Sequence, residues 1–269
     1  MAETLLQVLA SRPVTVSAVV SFAKALDGNE CMKSAWQQLA RAEAYVPPHV
    51  VLLGLEHDLA VAAIGVENEM RQVDVGTYSA EMRRIYREHE KIKARKRELE
   101  GKGRNAVEID RDVGVFLTEF SGRRVEKLQR ERPDSIETEI WVNSNDYGVP
   151  IRGRADLVET YSGKRKILEA KVKKRFDEYD KLQVAIYWLL MQKPENKCAV
   201  YLLPECREVP VKPFDYKHQF LGAMEEIKQM LPKTLAQVEA DYRFCKQEKP
   251  WGTQKCRFNF QGGCAYARN

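Results

Sequence analysis

The stretches RGRADLVE (residues 152–159), KILEAKV (166–172) and YDKLQVAIY (179–187) decide the reading of this chain. The text from Gly148 to Val158 reads as a strand entering Asp156, and Lys166 to Val172 as a second strand after a Tyr161-Ser162-Gly163 turn. A hairpin of that length brings Asp156 beside Glu169 and Lys171. Alternate residues of a strand share a face, so Glu169 and Lys171 point together while Ala170 points away. Gln183 and Tyr187, four positions apart, share one face of the helix that follows. Two carboxylates beside a lysine offer hard oxygen ligands to Mg²⁺ or Mn²⁺, with an ammonium close by. Such a cation lowers the pKa of bound water and neutralises charge building on a phosphodiester.

Working outward, residues 113–132 read as a helix stopped before Pro133, and SIETEIWVNS (135–144) as a strand of alternating character. After the Gln/Tyr helix come the apolar strand AVYLLP and a helix from about Pro213 to Met230. Helix, three strands, helix, strand, helix predicts an α/β fold, a mixed central sheet flanked by helices. Residues 1–45 and 50–100 read as helical. The second of these blocks opens on VVLLGLEHDLAVAAIGV and closes on a charged helix whose opposite charges stand three and four apart.

The order Asp156, Glu169-x-Lys171, Gln183-x-x-x-Tyr187 resembles the PD-(D/E)XK nuclease superfamily in its RecB-like branch. The resemblance implies a restriction-endonuclease-like core over residues 111–230. A helical lobe over 1–110 would be closed on it by a C-terminal segment over 231–269. Asp156, Glu169 and the Ala170 carbonyl are then expected to hold Mg²⁺ or Mn²⁺, Lys171 to position the attacking water, and Gln183 and Tyr187 to complete the site. The family places a histidine upstream, in a pattern like G-x-x-x-H-E. Here Gly114 to Glu119 aligns with it and Thr118 stands at the histidine position, so Glu119 is expected as the upstream ligand, with His57 in GLEHD as second choice.

Six cysteines, Cys31, Cys198, Cys206, Cys245, Cys256 and Cys264, add a second signal. One early cysteine and three late ones resemble the iron–sulfur subgroup of RecB-like nucleases, which includes AddB and the CRISPR-associated RecB-like exonucleases. In that subgroup four thiolates from opposite ends of the chain hold a 4Fe–4S cluster. The resemblance assigns Cys31, Cys245, Cys256 and Cys264 to that role, with Zn²⁺ on the same thiolates as the alternative. The late spacing, Cys245-x10-Cys256-x7-Cys264, departs from the family's C-x2-C-x5-C. Cys198 and Cys206 flank an apolar run and read as buried small hydrophobes. No leader is read at the start of the chain, so disulfides are not expected and the location is expected to be cytoplasmic.

With 44% hydrophobic residues the chain can build a sizeable core, and 31% charged residues argue against a membrane protein. No apolar run is read as reaching the roughly 20 residues of a membrane helix. Forty-four Lys plus Arg against 39 Asp plus Glu give a net charge of +5, concentrated in residues 83–104 and 171–175. Such patches attract phosphates without reading sequence. The expected partner is DNA, as single-stranded ends attacked by an exonuclease in recombination, repair or CRISPR spacer acquisition. The contrasting expectation is a DNA-binding scaffold that keeps the fold without the activity.

Overall fold

The computed structural model describes residues 13–27, 35, 39, 46–70, 73–172, 176–191, 196–233 and 237. In chain order the elements are β1 (Val14–Thr15), α1 (Val16–Leu26), α2 (Pro48–Gly65), α3 (Val75–Glu88), α4 (Glu90–Gly101) and α5 (Ala106–Arg130). They continue with β2 (Ser135–Ser144), β3 (Ile151–Tyr161), β4 (Lys164–Lys171), α6 (Glu178–Met191), β5 (Lys197–Leu202), β6 (Arg207–Val211) and α7 (Lys217–Met230). The order expected from sequence is present, with β1 and β6 added to the sheet. Two residues are too few to show any period, which hides β1. The proline in β6, Pro210, is tolerated because that strand lies at the sheet edge.

The β3–β4 hairpin turns through Ser162 (φ 48) and Gly163 (φ 77), the two positive values that a tight, right-twisted hairpin demands. β2 runs antiparallel along β3, β5 runs parallel to β4, and β6 runs antiparallel to β5. β1 joins β3 in parallel at Val14↔Ile151 and Thr15↔Arg152, on the edge that β4 uses farther along.

Both faces of the sheet are covered. Helices α1, α6 and α7 pack Val19, Phe22, Ile186, Phe220 and Met224 against Ala155, Val158, Ile167 and Val200. Helices α2 to α5 pack Leu55, Leu59, Tyr78 and Phe120 against Leu157, Leu168 and Tyr201 on the opposite face. The boundary expected at residue 110 falls inside α5, and α2–α4 share their core with the sheet.

Helix α2 corrects one expectation. With the short turn after it, Pro48–Glu69 forms a 22-residue helical segment, long and apolar enough to cross a membrane by length and composition. Its apolar character has another source here. The helix lies between the sheet and α3 to α5, so it buries Val51, Leu55, Leu59, Ala60, Ala63 and Ile64 on several sides.

At Asp156 the regular sheet breaks on both sides of β3. The ladder with β2 runs from Thr138↔Leu157 to Ile140↔Ala155, and Glu139, opposite Asp156, has left-handed φ of 54. The ladder with β4 ends at Leu157↔Leu168. Alternation slips with it, because Ala155 and Val158 face one core and Leu157 the other. The backbone around Asp156 is thus released from its neighbours, and the gap between the parted strands is termed the cleft.

Farther along β3, a buried polar cluster ties α5 to the sheet. Arg124 on α5 is fully buried and donates bidentately to Glu67, at 2.9 and 2.8 Å, just beyond α2. It also donates to Glu159 of β3 at 3.2 Å and to the Tyr201 hydroxyl of β5 at 3.1 Å. Tyr78 donates to Glu67 at 2.6 Å and Tyr161 to Glu159 at 2.8 Å. Lys127 and Lys166 close the group on Glu208 at 2.7 and 2.9 Å, so three cations meet three carboxylates.

Candidate active site

The splayed strands place the chemistry. On β4, the Lys171 ammonium lies 2.8 Å from Glu169 Oε1 and donates to Gln183 Oε1 at 3.0 Å, so Glu169 and Lys171 share a face as their spacing predicts. Where β4 leaves β3, the Ala170 N–H donates to Asp156 Oδ2 at 2.8 Å, the side chain taking over from the missing strand partner. The Lys171 carbonyl accepts from the Leu203 N–H at 3.1 Å on the β5 side. Backbone groups alternate between the two edges of a strand, so the Ala170 carbonyl points the other way, toward the cleft and Asp156.

Helix α2 supplies the residue opposite. His57 Nε2 lies 3.2 Å from Asp156 Oδ2, and its Nδ1 is 3.4 Å from Asp58 Oδ1. Asp58 is in turn held by Lys91 at 2.8 Å and Arg95 at 3.3 Å, both on α4. Beside Asp156 the structure thus brings His57 and not Glu119. Glu119 is exposed on α5, and the neighbouring Thr118 hydroxyl donates to its own helix at the Gly114 carbonyl, 2.9 Å away. The signal for His57 was present in the sequence. Three polar residues, Glu56, His57 and Asp58, interrupt an otherwise apolar helix, and buried polar groups demand partners.

Gln183 bridges Lys171 to Tyr187, donating toward the tyrosine hydroxyl at 3.4 Å. Tyr187 is only 3% exposed, so it reaches the site from beneath rather than from the substrate side. Its ring presses on β3 at Gly153, where an added Cβ would sit 2.5 Å from Tyr187 Cε1 and 2.5 Å from Val16 Cγ2. Gly153→Ala is expected to force β3 off α6 and cost about 1–3 kcal/mol by overpacking. A fall in thermal midpoint checks this, and an unchanged midpoint would contradict it.

The charges of the site are strongly coupled. Burial, and then Asp156 beside it, raise Glu169 to about 8. Burial would also raise Asp156, but hydrogen bonding and attraction from His57 outweigh it and hold this carboxyl below its ordinary range. Burial disfavours a charged imidazole on His57, yet the carboxylates of Asp156 and Asp58 outweigh that and raise it to about 10. Protons thus stand where a cation would otherwise balance charge.

Among the described residues no three His, Cys, Asp or Glu side chains converge in ready ligand geometry. One atom is nevertheless left over. Glu169 Oε2 is buried without a hydrogen-bond partner, a costly state for a carboxylate oxygen. Two carboxylates, an inward carbonyl and an imidazole suit a hard divalent cation, and such an ion would satisfy the orphaned oxygen.

Cys31, Cys245, Cys256 and Cys264 lie outside the described residues. Cys198 and Cys206 are free thiols. Burial pushes them up to about 12 and about 11, in keeping with small hydrophobes rather than thiolate ligands. Of the basic stretches, residues 173–175 also lie outside the described part. The helical one is laced with ion pairs, among them Arg84 to Glu81 and Glu88, Lys96 to Asp110 and Arg104 to Asp112.

Among curated proteins none matches the chain. Solved structures resemble it at low identity, these two among them. The crystal structure of SSO0001 is 17% identical, with 80% of this chain and 86% of that one covered and a TM-score of 0.33. A protein from Eubacterium rectale, described as a candidate exonuclease, is 11% identical, with 91% and 93% covered and a TM-score of 0.42. The sequence model of the PD-(D/E)XK nuclease superfamily matches residues 29–268, a span that includes His57, Asp156, Glu169, Lys171, Gln183 and Tyr187. A match over most of its length, on a mixed sheet that splays at Asp156 beside Glu169-x-Lys171, means that the chain belongs to the PD-(D/E)XK nuclease superfamily.

Proposed function

We propose that this protein is a divalent-metal-dependent DNA nuclease of the RecB-like type. The observation that carries the reading is the partnerless Glu169 Oε2, buried beside Asp156 and His57 in the cleft of the sheet. Asp156, Glu169, the Ala170 carbonyl and His57 would hold Mg²⁺ or Mn²⁺, with His57 taking the place first assigned to Glu119. Bound there, the ion would supply a Lewis acid at the phosphate and a more acidic water. Lys171, fixed between Glu169 and Gln183, orients that water for attack on phosphorus. As the water oxygen bonds to phosphorus, the P–O3′ bond would break and the water's proton would pass through solvent to O3′, leaving a 5′-phosphate and a 3′-hydroxyl. Gln183 and Tyr187 set the position of Lys171 and of β3 rather than gripping the substrate.

The scaffold reading rested on the missing upstream histidine, and His57 against Asp156 takes that support away. The family resemblance favours single-stranded ends, exonuclease action, and service in recombination, repair or CRISPR spacer acquisition. It also favours a 4Fe–4S cluster on Cys31, Cys245, Cys256 and Cys264, which iron and sulfide assay of anaerobically purified protein would test against Zn²⁺.

The deciding experiment is digestion of end-labelled single- and double-stranded DNA with Mg²⁺, Mn²⁺ or EDTA. Cleavage with either metal and none in EDTA is expected. Metal-independent cleavage, or none in any condition, sinks the reading. A pH dependence follows from the site charges. Metal can bind only as Glu169 and His57 lose protons, and both groups are raised, so low pH opposes binding. The Mg²⁺ concentration for half-maximal binding should therefore fall as pH rises through about 8, where Glu169 loses its proton, and on toward about 10, where His57 does, with protons released. Calorimetry in two buffers of different ionisation enthalpy measures that release, and proton-neutral binding would count against these ligands.

A further inference from the structure

Beside the cleft, on the face that α2 approaches, β2 and β3 carry an unusual exposed strip. Trp141 on β2 is 53% exposed and pairs across the strands with Arg154, while Asn143 pairs with Arg152. The Arg152 guanidinium lies 3.9 Å from the centre of the Trp141 ring and that of Arg154 lies 5.6 Å away. Arg152, Arg154 and Asp156 alternate along one strand. Successive members are about 6.6 Å apart at the usual rise of a strand, close to the phosphate spacing of a stretched single strand. The strip is continuous with the site. Arg154 meets Glu139 at 3.2 Å, Glu139 meets Lys91 at 3.1 Å, Lys91 meets Asp58 at 2.8 Å, and Asp58 touches His57, which faces Asp156.

The charges facing this strip are Arg152, Arg154 and Lys91 against Glu139 and Asp58. Glu139 engages both Arg154 and Lys91, whereas among the described residues no carboxylate pairs with Arg152. A flat indole–guanidinium stack with a cation to spare suits a π-faced, anionic ligand. In a duplex the bases already stack on one another and offer no free face. An unpaired strand does.

We propose that Trp141, Arg152 and Arg154 form the platform that leads one unpaired nucleic-acid strand into the cleft. A base adds the next layer to the Trp141–Arg152 stack, and the flanking phosphates lie along Arg152 and Arg154. This deepens the nuclease reading by naming residues that select single strands, and it rests on that reading only for the direction of the strand toward Asp156.

The test is fluorescence anisotropy of the full chain with labelled oligothymidylate, first in EDTA and again with Mg²⁺ in the Asp156→Asn background. Trp141→Leu keeps apolar bulk on the strand but removes the aromatic face, and should weaken single-strand binding roughly tenfold or more. Trp141→Phe should stay close to the parent protein, and Arg152→Gln should lower the salt slope by about 0.7, the value of one phosphate contact on a single strand. Duplex binding should barely respond to Trp141→Leu. Thermal melting confirms that each variant is folded. Unchanged single-strand binding in folded Trp141→Leu overturns the proposal, as does an equal loss for single strands and duplex. Failure of the two readings is separable, since Trp141-dependent binding without any cleavage would reject the nuclease and leave the platform standing.

Discussion

Alanine at Asp156 or at Glu169 is expected to remove metal-dependent cleavage while DNA binding persists. Both carboxylates face the cleft, one held by the Ala170 N–H and His57, the other by Lys171 with an oxygen to spare. Loss of the ion removes several kcal/mol of transition-state stabilisation, which is at least about a thousandfold in rate. Removing a carboxylate also removes a repulsion toward phosphate, so affinity should hold or rise. His57→Ala should follow the same course in milder form, shifting the Mg²⁺ requirement upward, whereas Glu119→Ala, on the exposed side of α5, should be near neutral. Cleavage assays across a Mg²⁺ titration separate the four variants. Normal rates in both Asp156→Ala and Glu169→Ala would end the assignment.

The second large effect concerns Arg124. Arg124→Ala leaves Glu67 and Glu159 buried without their shared guanidinium, and breaking a buried pair from one side costs about 3–5 kcal/mol. That is a large fraction of the roughly 5–15 kcal/mol that holds an ordinary domain together. The same change frees the end of α2 from β3, so the Mg²⁺ requirement should rise with the loss of stability. Replacing Arg124, Glu67 and Glu159 together by apolar residues of similar volume should recover part of the loss, because Lys127 and Lys166 keep Glu208, while the Tyr78 and Tyr161 hydroxyls lose their acceptors. Urea unfolding midpoints decide the matter. A single Arg124→Ala protein as stable as the parent would show that the cluster contributes little.

Much of the core was legible because its signals are local. The Ser162-Gly163 turn, the shared face of Glu169 and Lys171, and the Gln183–Tyr187 spacing each depend on residues within one or two elements. The choice between Glu119 and His57 was not, because His57 meets Asp156 only through the packing of α2 on the sheet, and no period in the sequence encodes that contact. Thr118 occupied the aligned position and drew attention to Glu119 instead. Arg124 was hidden for the same reason, being one basic residue among many on a helix that reads as ordinary. Arg152 and Arg154 stood inside the most telling stretch, yet their meaning depends on Trp141 across the ladder. Tyr187 was placed correctly on its helix, but its burial beneath Gly153 depends on a glycine that looks like any other in a strand.

The distance along the chain between His57 and Asp156 has a consequence for the newly made protein. Helix α2 emerges from the ribosome long before β3, and β4 gains its parallel neighbour only when Lys197–Leu202 has followed. Contacts between remote segments form late, because a long loop must close before they reward the chain. A nascent or truncated polypeptide that stops short of β5 therefore carries parts of the cutting centre without its assembled whole. Cleavage is thus expected only from chains made past Leu202, where β5 can join β4.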